Sequence, residues 1–184
     1  MNVPPALDAA NTVLLLIDFQ ERLFPVMHDK EKLLRNLLKL IRGIKVLEAP
    51  VIITEQYPRG LGPTIPEIKE LLPDVKPVEK VCFSCCDAPE FGAAVASLKR
   101  KQVLIAGIEA HICVYQTAMA LAREGYQAQV VSDAAASRDP ENKLTALFKM
   151  GAAGISPTTV ETALFELLKA AGTDKFKQIS SIVK

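Results

Sequence analysis

Short apolar runs alternate with longer amphipathic stretches over most of this chain, and that alternation constrains its fold more than any other feature. Val13 to Ile17 is an unbroken apolar run closed by Asp18, the pattern of a strand buried on both faces. Leu33, Leu34, Leu37, Leu38, Ile41, Ile44 and Leu47 then recur at helical spacing. Ala49-Pro50 ends that helix, and Val51 to Thr54 reads as a second strand. The stretch from Glu55 to Pro66 is dense in glycine and proline and reads as a loop. A brief helix over Glu67 to Leu72 precedes a third strand near Val78 to Val81. The pattern continues as helix (Ala88 to Lys99), strand (Val103 to Ala106), helix (Ile112 to Glu124) and strand (Gln127 to Val131). A helix over Pro140 to Met150 and a short strand over Ala153 to Ile155 follow. Thr158-x-x-Glu161 reads as a capping box that opens a last helix, with Val160, Ala163, Leu164, Leu167 and Leu168 on its buried face. The polar tail after Gly172 reads as a partner-facing or mobile end.

Strands and helices in this order imply right-handed crossovers and a parallel sheet covered on both faces, an α/β/α three-layer, Rossmann-like domain. With 184 residues, 49% hydrophobic, and neither repeat nor low-complexity linker, residues 1–184 suit one domain. The formal net charge of +1 argues against nucleic acid or an anionic membrane as the main partner. No run approaches the roughly 18 apolar residues that span a bilayer. The start, MNVPPALDAAN, lacks the basic region and apolar core of a secretory signal, so a cytoplasmic location is expected. Three of the four cysteines (Cys82, Cys85, Cys86) crowd within five residues, which suits reduced thiols better than a secreted disulfide framework.

Ligands of such sheets sit beyond the carboxyl ends of the strands. Asp18 closes the first strand, Lys80 lies on the third, and Cys113 follows the fourth. Each has a plainer explanation: a turn cap, a solvated lysine, a small core residue. Their common location favours one site. Cys113 opens a helix pattern after a buried strand, where unpaired N–H groups and the helix dipole favour the thiolate. Asp18 alone would raise the thiol's pKa, so Lys80 has to offset it. Cys113 is therefore expected to react with iodoacetamide faster than Cys82, Cys85 or Cys86. Cys82-x-x-Cys85 also admits a zinc or redox reading, but His28 and His111 show no metal-partner spacing, and the pair runs straight off an apolar segment.

The motifs LLIDFQ (15–20), TEQYPRGLGPT (54–64), EKVCFS (79–84) and GIEAHICV (107–114) together resemble the isochorismatase-like cysteine hydrolase family. The resemblance runs from about Thr12 to Leu168. It implies a six-stranded parallel sheet in the order 3-2-1-4-5-6, usually an oligomer, and an Asp-Lys-Cys triad that maps onto Asp18, Lys80 and Cys113. In that reading Cys113 attacks a carbonyl-type carbon, while Asp18 takes the thiol proton and returns it to the leaving group. Lys80 orients Asp18, and the backbone N–H groups of Glu109 and Cys113 form an oxyanion hole. Similar proteins carry a cis peptide at the position of Ile108–Glu109.

Two departures narrow the branch. Glu55, Gln56 and Tyr57 stand where metal-binding nicotinamidases carry their Asp/His set, so no metal and no other cofactor is expected. True isochorismatases generally lack the nucleophilic cysteine, so Cys113 argues against a vinyl ether substrate. Ala110 stands where many relatives have threonine. The expected activity is cofactor-independent hydrolysis of a small amide or related C–N bond, in a homo-oligomer. Phe19, Gln20, Phe24, Tyr57, Arg59, Phe83 and His111 are the expected substrate-binding rim. The alternatives are a binding or assembly protein on the same fold and a thiol redox protein.

Overall fold

In the computed structural model, which describes residues 5–184, six strands alternate with helices. The strands are β1 (Thr12–Ile17), β2 (Val51–Gln56), β3 (Val78–Lys80), β4 (Gln102–Ile108), β5 (Gln127–Ala136) and β6 (Ser156–Thr158). The helices are α1 (Lys30–Val46), α2 (Pro58–Leu61), α3 (Pro66–Leu71), α4 (Pro89–Ser97), α5 (Tyr115–Arg123), α6 (Pro140–Ala152), α7 (Val160–Leu168) and α8 (Asp174–Val183). All strand pairs are parallel and the order is β3–β2–β1–β4–β5–β6, with helices on both faces.

Successive side chains of a strand point to opposite faces, so an unbroken apolar run feeds two cores at once. Leu14 and Leu16 pack with Leu37, Ile41 and Ile44 of α1 and with Ala163, Leu164 and Leu167 of α7. Val13, Leu15 and Ile17 pack on the other face with Phe91 and Val95 of α4, Ala118 and Leu121 of α5, and Met150 of α6. Each fully buried Leu or Ile contributes roughly 1.5–3 kcal/mol. The β1–β4 pair lies at the centre of both cores. A Cβ on Gly107 would meet Ile17 Cβ at 2.6 Å and Val114 Cγ2 at 2.9 Å. Only glycine permits that approach, and it seats the turn after β4 against the end of β1.

The chain departs from the sequence expectations in four places. Helix α6 runs to Ala152, and Ala153 and Gly154 (φ 86°) form its closing turn, so β6 begins at Ser156 and not at Ala153. The cap of α7 is Thr159, whose hydroxyl accepts from Thr162 N, one residue later than the predicted Thr158. The Glu55–Pro66 segment is only partly loop: β2 continues to Gln56 and α2 supplies one helical turn. The tail after Gly172 is helix α8, with Ile179 fully buried against the α1 core and Phe176 edge-on to Phe165. Among the described residues no helix is long and apolar enough to cross a membrane.

Candidate active site

The carboxyl ends of β3, β2, β1 and β4 lie side by side, and each delivers a polar or reactive side chain to the same place. Asp18 follows β1 directly in the left-handed region (φ 58°), a conformation Asp tolerates better than most residues. Lys80 closes β3. Its Nζ donates to Asp18 Oδ2 at 2.7 Å, and both side chains are 0% exposed. From β2, Thr54 Oγ1 donates to Asp18 Oδ1 at 2.7 Å, and Gln56 Oε1 accepts from Lys80 Nζ at 2.8 Å. Two carbonyls, of Cys82 at 3.3 Å and Phe83 at 3.5 Å, complete the shell of the ammonium. Burial alone would pull the lysine's proton affinity down, but the Asp18 carboxylate reverses this and holds Lys80 above its ordinary pKa.

Cys113 lies buried in the turn after β4, within the fields of the Asp18 and Lys80 charges. The turn is a wide, π-type one over Ala110–Val114, and α5 starts only at Tyr115, so Cys113 is not at a regular helix N-terminus. Burial, and then the Asp18 carboxylate, push its thiol well above the usual range; the Lys80 ammonium opposes them without prevailing. The expectation of a standing thiolate is thus reversed. The reason is that Lys80's charge is already engaged by Asp18, while burial penalises the thiolate directly. Burial also pushes Cys85 up to about 11 and Cys86 up to about 12. All four cysteines are free thiols.

A cavity of about 520 Å³ opens beside Lys80 at the sheet edge, and Tyr57, Arg59, Val81, Cys82 and Glu90 are among its walls, while Asp18 and Cys113 are not. Phe83 is exposed next to it. The rest of the predicted rim is elsewhere. Phe19 and Phe24 are buried in the α1-side core, their ring centroids 6.4 Å apart. Gln20 is also buried; its amide donates to the carbonyls of Gln56 (3.0 Å) and Gly62 (2.6 Å) and accepts from Gln56 N (2.7 Å). It braces the loop after β2 and does not face open space. His111 pairs through Nδ1 with Ser137 Oγ at 2.9 Å. The Ile108–Glu109 peptide is cis, and the Glu109 carboxylate takes hydrogen bonds from Arg138 N and Nε at 2.9 and 3.1 Å.

Sequence reasoning missed Thr54 and Gln56. The available signal was positional: β2 lies between β1 and β3, so polar residues at its end fall between Asp18 and Lys80. Cys85 was also missed as a neighbour; its thiol reaches Thr54 Oγ1 at 3.9 Å and its N–H donates to Thr117 Oγ1 at 2.9 Å.

Residues 12–162 match the isochorismatase domain family. The secreted isochorismatase effector Isc1 of Phytophthora sojae is 36% identical over 179 residues, covering 95% of this chain and 85% of that protein. The structure of MAR1 ribonuclease from Caenorhabditis elegans superposes with a TM-score of 0.91 at 32% identity, covering 97% of this chain and 92% of that one. The YcaC gene product from Escherichia coli, described as an octameric hydrolase of unknown specificity, superposes with a TM-score of 0.93 at 27% identity over 99% of this chain and 91% of that one.

Proposed function

We propose, from the premise that this chain belongs to the isochorismatase family, that it hydrolyses a small amide or related C–N bond through a covalent Cys113 intermediate. The observation that carries this reading is the fully buried Lys80–Asp18 pair, with Cys113 buried in the turn that follows β4, the strand beside β1. Asp18 accepts the thiol proton as Sγ bonds to the substrate carbonyl carbon and the carbonyl electrons move to oxygen. The backbone N–H groups of Glu109 and Cys113 stabilise that oxyanion. Collapse breaks the C–N bond; the leaving nitrogen takes the proton from Asp18 and a thioester remains. Water then attacks the thioester, gives a proton to Asp18, and the thiol is restored as the carboxylic acid leaves. Lys80 stays an ammonium throughout and fixes the carboxylate.

The raised thiol pKa gives this mechanism a specific character. There is little resting thiolate, so nucleophile formation and attack are coupled through Asp18. Tyr57 and Arg59 are the substrate contacts best supported by geometry, since they wall the cavity beside Lys80, with Phe83 at its margin. Phe19, Gln20 and Phe24 act from behind, holding the loops that carry Asp18 and Tyr57. His111 stiffens the Cys113 turn through Ser137.

Self-association is proposed as well. Leu144 and Phe148 stand four residues apart on α6 and are mostly exposed, and the E. coli relative is described as octameric. Four free thiols suit a reducing, cytoplasmic setting, although the relative Isc1 is a secreted protein. The C. elegans relative's name points to RNA, but 22 basic residues against 21 acidic ones give this chain no overall basic field for a polyanion.

The test is a panel of small amides, N-carbamoyl compounds and ureides, with RNA in parallel, against wild type and Cys113→Ala. Turnover of a C–N substrate by wild type, with an acyl adduct on Cys113 in the trapped enzyme and none in the variant, is the expected result. Equal turnover by Cys113→Ala, or cleavage of RNA alone, would overturn the reading.

A further inference from the structure

We propose that Arg138 is a positioning residue for the Cys113 turn and acts on it through the Glu109 carboxylate. For its effect on turnover this assignment rests on the hydrolase reading above; for the contacts it rests on geometry alone. The register of the sheet brings the two residues together. Ile108, the last residue of β4, pairs with Ala136, the last of β5. The segments leaving these strands therefore start side by side, Glu109 and the thiol turn from one, Ser137 and Arg138 from the other.

Glu109 is the pivot of that turn. Its carbonyl accepts from Ile112 N at 3.1 Å and from Val114 N at 3.3 Å, the two residues that flank Cys113. Regular helix starts only at Tyr115, so both neighbours of the thiol hang from this one carbonyl. A shift of Glu109 is therefore passed to the Cys113 sulfur, and to the two N–H groups assigned above to the oxyanion, at the same time.

Arg138 holds the other end of Glu109. Its N–H and its Nε–H both donate to Glu109 Oε2, at 2.9 and 3.1 Å, and among the described residues Glu109 has no other ion pair. The guanidinium side is 63% exposed, the carboxylate side only 6%. An exposed ion pair contributes little as a rule, but a buried carboxylate that loses its partner must move toward water or draw water in. Either response pulls on the residue that carries the turn. Ser137, itself buried, adds a second tie. Its hydroxyl pairs with His111 at 2.9 Å, and its carbonyl accepts from His28 N at 3.1 Å, which anchors the segment to the chain just ahead of α1.

The experiment measures iodoacetamide labelling at each cysteine by mass spectrometry, in the full chain and in Arg138→Met, Arg138→Lys, Glu109→Gln and the Met/Gln double variant. Glu109→Gln removes the charge but keeps an acceptor for Arg138 N, so it strands no buried carboxylate. Burial limits labelling of Cys113, so a loosened turn labels faster: about threefold in Arg138→Met and in Glu109→Gln, with Cys85 unchanged. The double variant is expected to match the single ones, since one contact is lost in all three, and Arg138→Lys to stay near wild type. On the C–N substrate found by the panel, Arg138→Met is expected to lower kcat about tenfold with KM nearly unchanged, so that the thiol labels faster yet turns over more slowly. Labelling needs no substrate: a Cys113-specific change without any C–N turnover supports the positioning role while the hydrolase reading fails. The proposal is overturned if Arg138→Met leaves Cys113 labelling unchanged, if all four cysteines accelerate equally, if the two substitutions add in the double variant, or if only KM changes, which would make Arg138 a substrate contact.

Discussion

Lys80 is buried and Lys143 half-buried, yet their proton affinities move in opposite directions. Burial pulls each of them down. Lys80 has a carboxylate at 2.7 Å that reverses the sign, and it ends above the ordinary value of 10.5. Among the described residues Lys143 has no carboxylate at ion-pair distance; Asp133 and Asp29 pull its pKa back up and Lys32 opposes them, but burial prevails and it ends below 10.5. The direction of the shift is therefore set by whether a contacting carboxylate outweighs burial.

The most severe way to break this comparison is Asp18→Asn, which puts Lys80 in Lys143's situation at a deeper site. A loss of about 3–5 kcal/mol in urea unfolding is expected, the penalty for stranding a buried charge. A variant within about 1 kcal/mol of wild type would mean that the pair is not what keeps Lys80 charged. Thr54→Val removes only the hydroxyl on Asp18 Oδ1 and should cost about 1.5–3 kcal/mol, the range for a hydrogen bond to a charged group. Under the proposed mechanism it should also lower kcat while leaving KM nearly unchanged, since Thr54 supports Asp18 and does not wall the cavity; a pure KM effect would refute that assignment.

Alkaline pH sharpens the contrast. Lys80's raised pKa gives stability that is complete below about pH 10.5 and is lost as pH rises through the higher folded value. Lys143 has the opposite sign: its cost is complete below its lowered pKa and fades as pH approaches 10.5. Unfolding midpoints taken at intervals from pH 8 upward should thus fall in wild type, and fall less in Asp18→Asn. The smallest expected effect is Lys143→Met, which should stabilise the protein at neutral pH by up to about 1 kcal/mol, with the gain closing toward pH 10.5. A destabilised Lys143→Met would show that its ammonium has a favourable partner after all.

Much of this arrangement is legible in the sequence, for definite reasons. Asp18 announces itself because a charged residue closing an apolar run falls at the carboxyl edge of a parallel sheet, and Lys80 because it lies on the third strand within the EKVCFS motif of the resemblance. The order of the strands comes from the resemblance, since periodicity says nothing about which strands are neighbours. Gln56 was hidden by the glycine and proline that follow it, which made the end of β2 look like loop, whereas Thr54 was read as the end of the strand and its contact with Asp18 was overlooked. Helix α8 carries Phe176, Ile179, Ile182 and Val183 at helical spacing, a signal outweighed by its polar composition. Cys113's protonation state was not legible at all. A sequence indicates that a cysteine follows a strand, but the burial that raises its pKa arises only when the sheet and helices close around it.

The four acceptors around the Lys80 ammonium have a consequence for inhibitor chemistry. An ammonium carries three hydrogens, and Asp18, Gln56 and the carbonyls of Cys82 and Phe83 already claim them all. A compound that offers Lys80 a carboxylate must evict one of these groups and gains little in exchange. If the proposed hydrolysis holds, potency is to be sought in electrophiles for the thiol and in rings that stack on Tyr57, with Lys80 left alone.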